Sequence, residues 1–371
     1  MLLTICIPTY KRPITLCRCI DLAIEQIEKF GLSGCVNVYV ANDASPDDTL
    51  VSLAKYALVS YVSVVTREQN LGMNVNIKCM LSDVAKQSDY QLIITDDDYL
   101  QPNILNEIVG FLRQQQDGSN RVPAIWTPRY SYTEDGEFHG VVCNPVEDST
   151  LVKPSIINAG RYMVNGFVLS GLIVRGKFID YEFWDKYKEN AYFPVIFFGD
   201  LLFRNGAYYW NRNIVHHTVL NICHWESWGR SDLLIELRKF SDYMNIYDIM
   251  AKRINNHPGA LLFYCSSFLS LYHAITSFLL SNELNGDELE TLSAFQELKA
   301  QGLLNFKFPL NLLMSCALLL SLTISISKLV VLGMILIFVR KRVKEAHCRE
   351  RIGVYMELLQ VTPIMLKLIW A

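Results

Sequence analysis

The sequence predicts an α/β protein with a mostly parallel central sheet, followed by a helical, apolar C-terminal region. Three observations carry this reading. Short apolar runs without period-two alternation, such as residues 2–7, are expected of strands covered on both faces. Stretches with helical spacing separate these runs, and each run ends in a polar cluster at its carboxyl end, where open α/β sheets bind their ligands. From about Asp232 onward the alternation gives way to helical patterns alone.

Composition narrows the function classes. At 371 residues, with 51% hydrophobic and 12% aromatic side chains, the chain is too apolar to be disordered and long enough for about two domains. A formal net charge of -3 supplies no basic field, which argues against nucleic acid as a partner. The ten cysteines are scattered, with no Cys-x-x-Cys pair and no secretory leader before the first strand. Reduced, cytosolic thiols are expected, and a structural zinc site is not.

Taken in order, the strand at 2–7 is broken by Pro8-Thr9-Tyr10-Lys11-Arg12-Pro13, and a helix follows over 14–30, stopped by Gly31. A strand at 36–40 leads into Asn42-Asp43-Ala44-Ser45-Pro46-Asp47, rich in turn and cap residues, and then a helix over 50–57. A third strand, 61–66, ends at a segment containing Asn70-Leu71-Gly72, and a helix over 75–85 returns the chain to a fourth strand that starts at Tyr90. That strand runs straight into Thr95-Asp96-Asp97-Asp98. Adjacent carboxylates repel, so they persist where a divalent cation or a hydrogen-bonding ligand sits among them. The alternative is a solvated acidic turn.

Beyond Pro102 the pattern predicts a helix to about Gln116, a strand at 124–127 and a hairpin around Asp135-Gly136. A strand is expected over 165–174 and another over 208–219. Asp200 stands alone in an apolar run, where an unpaired carboxylate is costly to bury unless it is poised to take a proton. Its alternative role is a helix cap. Helices follow over 233–250, 260–281 and 288–301. Residues 310–339 are apolar except for Lys328 and precede Arg340-Lys341-Arg342. About 20 apolar residues cross a bilayer. The run is expected either to span once or to lie as a hairpin in the cytoplasmic leaflet, with buried helices as the third possibility. The expected organisation is 1–230, a helical extension over 231–305 and a membrane-associating tail over 306–371.

The four polar clusters, Pro8 to Arg12, Asn42 to Asp47, Asn70 to Gly72 and Thr95 to Asp98 with Pro102, resemble in order and spacing those of the family 2 glycosyltransferases, which have the GT-A nucleotide-sugar-binding fold. The resemblance spans about residues 1–230. It implies that Pro8, Thr9, Tyr10 and Arg12 contact the nucleotide and that Asp43 hydrogen-bonds its base. It further implies that Asn70 and Gly72 let the backbone approach the donor, with Asp96 at the ribose. Asp97 and Asp98 would hold Mg2+ or Mn2+, although Thr95 replaces the first Asp of the commoner Asp-x-Asp-Asp. Asp200 would open a helix and deprotonate the acceptor hydroxyl, giving inversion at the anomeric carbon. His224 and Arg230 would meet metal and phosphate from a late closing loop, with a structural role as the alternative for each. His216 and His217 are read as surface or packing residues. The size, the Asp-Asp-Asp form and the tail look most like bacterial O-antigen transferases, including those adding abequose. That implies a polyprenyl-linked glycan acceptor at the cytoplasmic face of the inner membrane. The rivals are a nucleotidyltransferase, against which the absence of glycine from Pro8 to Arg12 counts, and a non-catalytic membrane scaffold.

Overall fold

The computed structural model describes residues 1–117, 122–133, 136–143, 148–218, 233–255, 258–260, 262–263 and 266–267. The chain divides into two compact units, Met1–Gly229 and Arg230–Ala371. In the first, strand β1 (Leu3–Thr9) is buried along its whole length, as a central parallel strand covered on both faces must be. Pro13 opens helix α1 (Pro13–Lys29), where its missing N–H costs nothing, and Leu16, Ile20, Ala23 and Ile27 face the core. The chain continues through β2 (Val36–Asn42), α2 (Thr49–Leu53), β3 (Val62–Thr66), α3 (Met73–Val84) and β4 (Tyr90–Ile93). These four strands are parallel in the order β3-β2-β1-β4. Thr9 lies opposite Asn42, Asn42 opposite Thr66, and Cys6 opposite Ile93. The polar segments that follow all four strands therefore emerge at one sheet edge.

The remaining elements of the unit are β5 (Tyr99–Leu100), α4 (Ile104–Asp117), β6 (Ala124–Trp126), β7 (Arg129–Tyr132), β8 (Phe138–Cys143), β9 (Thr150–Val152) and α5 (Ile156–Tyr162). A 3-10 turn (Met163–Phe167) leads to β10 (Leu172–Val174), α6 (Tyr181–Tyr187), α7 (Phe193–Arg204), β11 (Ala207–Tyr209) and β12 (Val215–Thr218). The main sheet has the order β3-β2-β1-β4-β10-β6-β11-β9, with β10 antiparallel to both β4 and β6. A second sheet, β5-β12-β7-β8, includes the expected hairpin as the antiparallel pair β7 and β8.

Several boundaries differ from expectation. The fourth strand stops at Ile93, and the acidic segment is a turn. Residues 165–171 are no strand: the 3-10 turn occupies their start and Gly171 takes φ +86, so only Leu172–Val174 pair. The stretch 208–219 is split between two sheets by the segment before Val215. Asp200 does not open a helix, since α7 begins at Phe193.

In the second unit, α8 (Leu233–Ile254) buries Ile246, Tyr247 and Met250, with the Tyr247 ring against those of Tyr243 and Phe263. Among the described residues no helix is long and apolar enough to cross a membrane. The apolar run 310–339 and the expected helix over 288–301 lie outside the described residues.

Candidate active site

The ends of β1 and β4 are joined by hydrogen bonds. Thr9 Oγ1 donates to Asp96 Oδ2 at 2.7 Å, the Tyr10 N–H donates to the same oxygen at 3.4 Å, and Arg12 Nη1 lies 3.3 Å from Asp96 Oδ1. The same guanidinium nitrogen also pairs closely with Asp97 Oδ2. Asp96 is buried. Burial, with Asp97 beside it, pushes its carboxyl up to about 7 against the opposing pull of Arg12, Thr9 and Tyr10. Burial works against the charge on Arg12, but Asp97 and Asp96 outweigh it and hold the guanidinium above its usual range.

Asp98 faces the other way. Its oxygens accept from Thr218 N at 3.0 Å and Thr95 Oγ1 at 3.0 Å, and they meet His217 Nδ1 at 3.0 and 3.1 Å. Burial disfavours the charged ring of His217, yet the hydrogen bond and charge of Asp98 prevail and raise its pKa. His217 is therefore a partner of the acidic turn and not the surface or packing residue the sequence suggested. Alternation along β12 explains it, since neighbouring side chains point to opposite faces. His216 is stacked between Tyr99 and Tyr132, at 4.4 and 4.2 Å. The signal available in the sequence was a short His-His strand, which says nothing about which sheet it joins.

Thr95 accounts for the departure from Asp-x-Asp-Asp. Its hydroxyl donates to Asp98 and contacts Ser170 Oγ at 2.8 Å, while its N–H donates to the same Ser170 Oγ at 2.9 Å. A hydroxyl at this position links the acidic turn to the segment before β10, which a carboxylate could not do by donating.

Asp43 is buried, and its two oxygens accept from the backbone N–H groups of Leu71 and Gly72, each at 2.9 Å. Burial raises its pKa against those hydrogen bonds. Asn70 Oδ1 also accepts from Gly72 N at 2.9 Å. Gly72 sits at φ +80 with open space where a Cβ would point. Its positive φ is a backbone conformation that favours glycine. Pro8 lies within β1, with Tyr10 partly exposed at the edge.

Asp200 is elsewhere. It lies in the last turns of α7, and both of its oxygens accept from Arg204, at 2.7 to 3.0 Å. Arg204 Nη2 also donates to Phe178 O at 3.0 Å. Phe178 follows Val174, which is paired with Gln91 near the amino end of β4. Asp96 follows the opposite end of that strand. The acceptor-base role expected of Asp200, and the inversion that depended on it, are therefore not carried forward. His224 and Arg230 lie outside the described residues.

Hard oxygen donors on a rigid strand end suit Mg2+ or Mn2+. Among the described residues no three His, Cys, Asp or Glu converge as a closed cage. Asp98 is taken up by His217, Thr218 and Thr95, so it does not fit the ligand role given to it. Asp97 fits, because Mg2+ at phosphate-handling sites is held by one or two carboxylates with phosphates and water completing the shell.

The mostly parallel α/β sheet, its polar carboxyl edge and the acidic turn after its fourth strand make a GT-A-like fold. Residues 4–128 match the family model described as Glycosyl transferase family 2. The match ends just past β6. No curated protein matches the chain. Among solved structures, S. aureus TarS residues 1–349 in complex with UDP is similar at 15% identity and a TM-score of 0.55, over 84% of this chain and 83% of that one. The same TarS fragment in complex with UDP-GlcNAc is similar at 15% identity and a TM-score of 0.55, over 80% of each chain. A mannosyltransferase from Pyrobaculum calidifontis, solved with GDP-Man and Mn2+, has 13% identity, a TM-score of 0.46 and coverage of 98% and 86%.

Proposed function

We propose that this protein is a glycosyltransferase that binds a nucleotide-diphosphate sugar at the carboxyl edge of β1 to β4 and moves the sugar to a hydroxyl of a glycan. The observation that carries the reading is the hydrogen-bonded junction of Thr9, Tyr10 and Arg12 with Asp96 and Asp97, beside the Asp43 clamp on Leu71 and Gly72. The UDP and UDP-GlcNAc held by TarS on a similar scaffold support a donor of this class.

Tyr10 and Arg12 would face the nucleotide. Asp43 fixes the 70–72 backbone and retains lone pairs for a base N–H. Asp97 would hold Mg2+ or Mn2+ once Arg12 leaves it. When bound, such an ion supplies Lewis acidity to the departing diphosphate. Asp96, Asp98 and His217 position the acidic turn around Asp97. The acceptor we propose is a polyprenyl-linked glycan of bacterial surface polysaccharide, of O-antigen type, met at the cytoplasmic face of the inner membrane. The apolar run over 310–339 and the basic residues after it support that placement.

The test is thermal stabilisation by UDP-, GDP-, CDP- and dTDP-sugars in Mn2+, followed by sugar release with and without EDTA. At least one donor should raise the melting point, since a ligand bound only by the native state stabilises it. EDTA should abolish release. No stabilisation by any donor would reject the donor class, and undiminished release in EDTA would remove the metal.

A further inference from the structure

Phe167 and Tyr192 form a pair of rings at the rim of this site, 5.8 Å apart and inclined by 27°. Phe167 is 58% exposed, although it belongs to a firmly held turn. The buried Arg129 donates to Asn165 O at 3.2 Å and to Ser170 O at 2.6 Å, gripping the backbone on either side of it. Gly166 packs so tightly that an added Cβ would lie 2.5 Å from Phe198 Cβ and 2.7 Å from Pro194 O of α7. A large apolar ring is thus presented outward by a scaffold with little freedom to withdraw it.

Both rings are tied to the donor edge. Ser170, three residues after Phe167, binds Thr95 at the start of the acidic turn. Tyr192 N donates to Asn190 Oδ1 at 2.8 Å, and the carbonyls of Lys188 and Asn190 accept from Asn74 Nδ2 at 2.7 and 3.1 Å, two residues after Gly72. The pair therefore bridges the segment that follows Gly72 and the segment that supports the acidic turn. The turn that carries Phe167 leads into β10, the neighbour of β4 on the side opposite β1.

We propose that Phe167 and Tyr192 form the platform on which the acceptor stacks the apolar C–H face of a pyranose ring, placing its hydroxyl beside the donor sugar. This rests on the glycosyltransferase reading. An exposed aromatic face takes up the apolar face of an amphipathic ligand, while polar groups around it fix the orientation. The family model ends at residue 128, so neither ring falls within the matched segment.

The experiment uses the full chain with millimolar methyl glycosides of glucose, galactose, mannose, rhamnose and N-acetylglucosamine, read by saturation-transfer NMR, with UDP, GDP, CDP and dTDP melting shifts measured in parallel. At least one glycoside should receive saturation on its ring C–H protons from the wild type. The signal should fall at least fivefold in Phe167→Ala and in Tyr192→Ala, and persist in Phe167→Trp. The nucleotide shift should be the same in all four proteins. If no glycoside is saturated, or Phe167→Ala keeps the signal while a nucleotide still stabilises it, the platform is wrong and the donor site stands. If the nucleotide shift disappears with Phe167, the ring serves the base and the proposal falls. If Phe167→Ala instead loses sedimentation with phosphatidylglycerol vesicles, the pair faces lipid and the proposal also falls. If no nucleotide stabilises the wild type, the glycosyltransferase reading itself has failed.

Discussion

Asp97 and Asp98 are neighbours in sequence and opposites in use, and two substitutions separate them. Asp97→Asn removes the carboxylate proposed for the metal and, with it, the charge that Arg12 pairs with. Sugar release should fall at least about 100-fold, the order seen when one electrostatic contact to the reacting group is lost, with the melting point within a few degrees of wild type. Asp98→Asn breaks charged hydrogen bonds to His217 and sets an amide among backbone and hydroxyl donors. Urea denaturation should show a loss of about 2 kcal/mol, the scale of a hydrogen bond to a charged group. The sequence marked all three carboxylates and put Asp97 before Asp98 as metal ligand; what distinguishes them physically is which oxygens Arg12, Thr218 and His217 reach. Those partners lie about 85 to 120 positions away along the chain.

Among the elements, the first four strands and the helices between them were legible because the helical spacing was clear and β1, β2 and β4 are buried almost throughout, while β3 is the half-exposed edge strand. The segment before β10 was not. Its apolar residues read as strand, yet Arg129 and the φ of Gly171 shape it into a turn, and an added Cβ at Gly171 would lie 3.0 Å from Thr127 Oγ1. Two glycines test the consequence. Gly166→Ala should push the Phe167 turn off α7 and cost about 1 to 3 kcal/mol, the range for overpacking. Glycoside saturation should drop with it, while nucleotide melting shifts hold. Gly176→Ala meets Ala85 Cβ at 2.5 Å beyond the opposite end of β10 and should cost a similar amount in urea denaturation. Sugar release per folded molecule should be unchanged.

At the scale of the whole molecule, the fold class was legible from alternation, whereas the second sheet was legible only in its β7–β8 hairpin, since β5 and β12 join it from separate parts of the chain. The membrane reading leads to its own measurement. The full chain should float with anionic vesicles, and a chain ended at residue 305 should remain behind. Within the first unit, β10 enters the sheet in reverse between β4 and β6. That reversal makes a seam: under the proposed function the β4 side would handle the nucleotide, and the turn that feeds β10 would front the incoming sugar chain. Changes confined to the later half could retune which saccharide is elongated while the activated-sugar pocket stays as it is. Grafting that half between two such enzymes should therefore exchange their recipient preference and leave their donor choice alone.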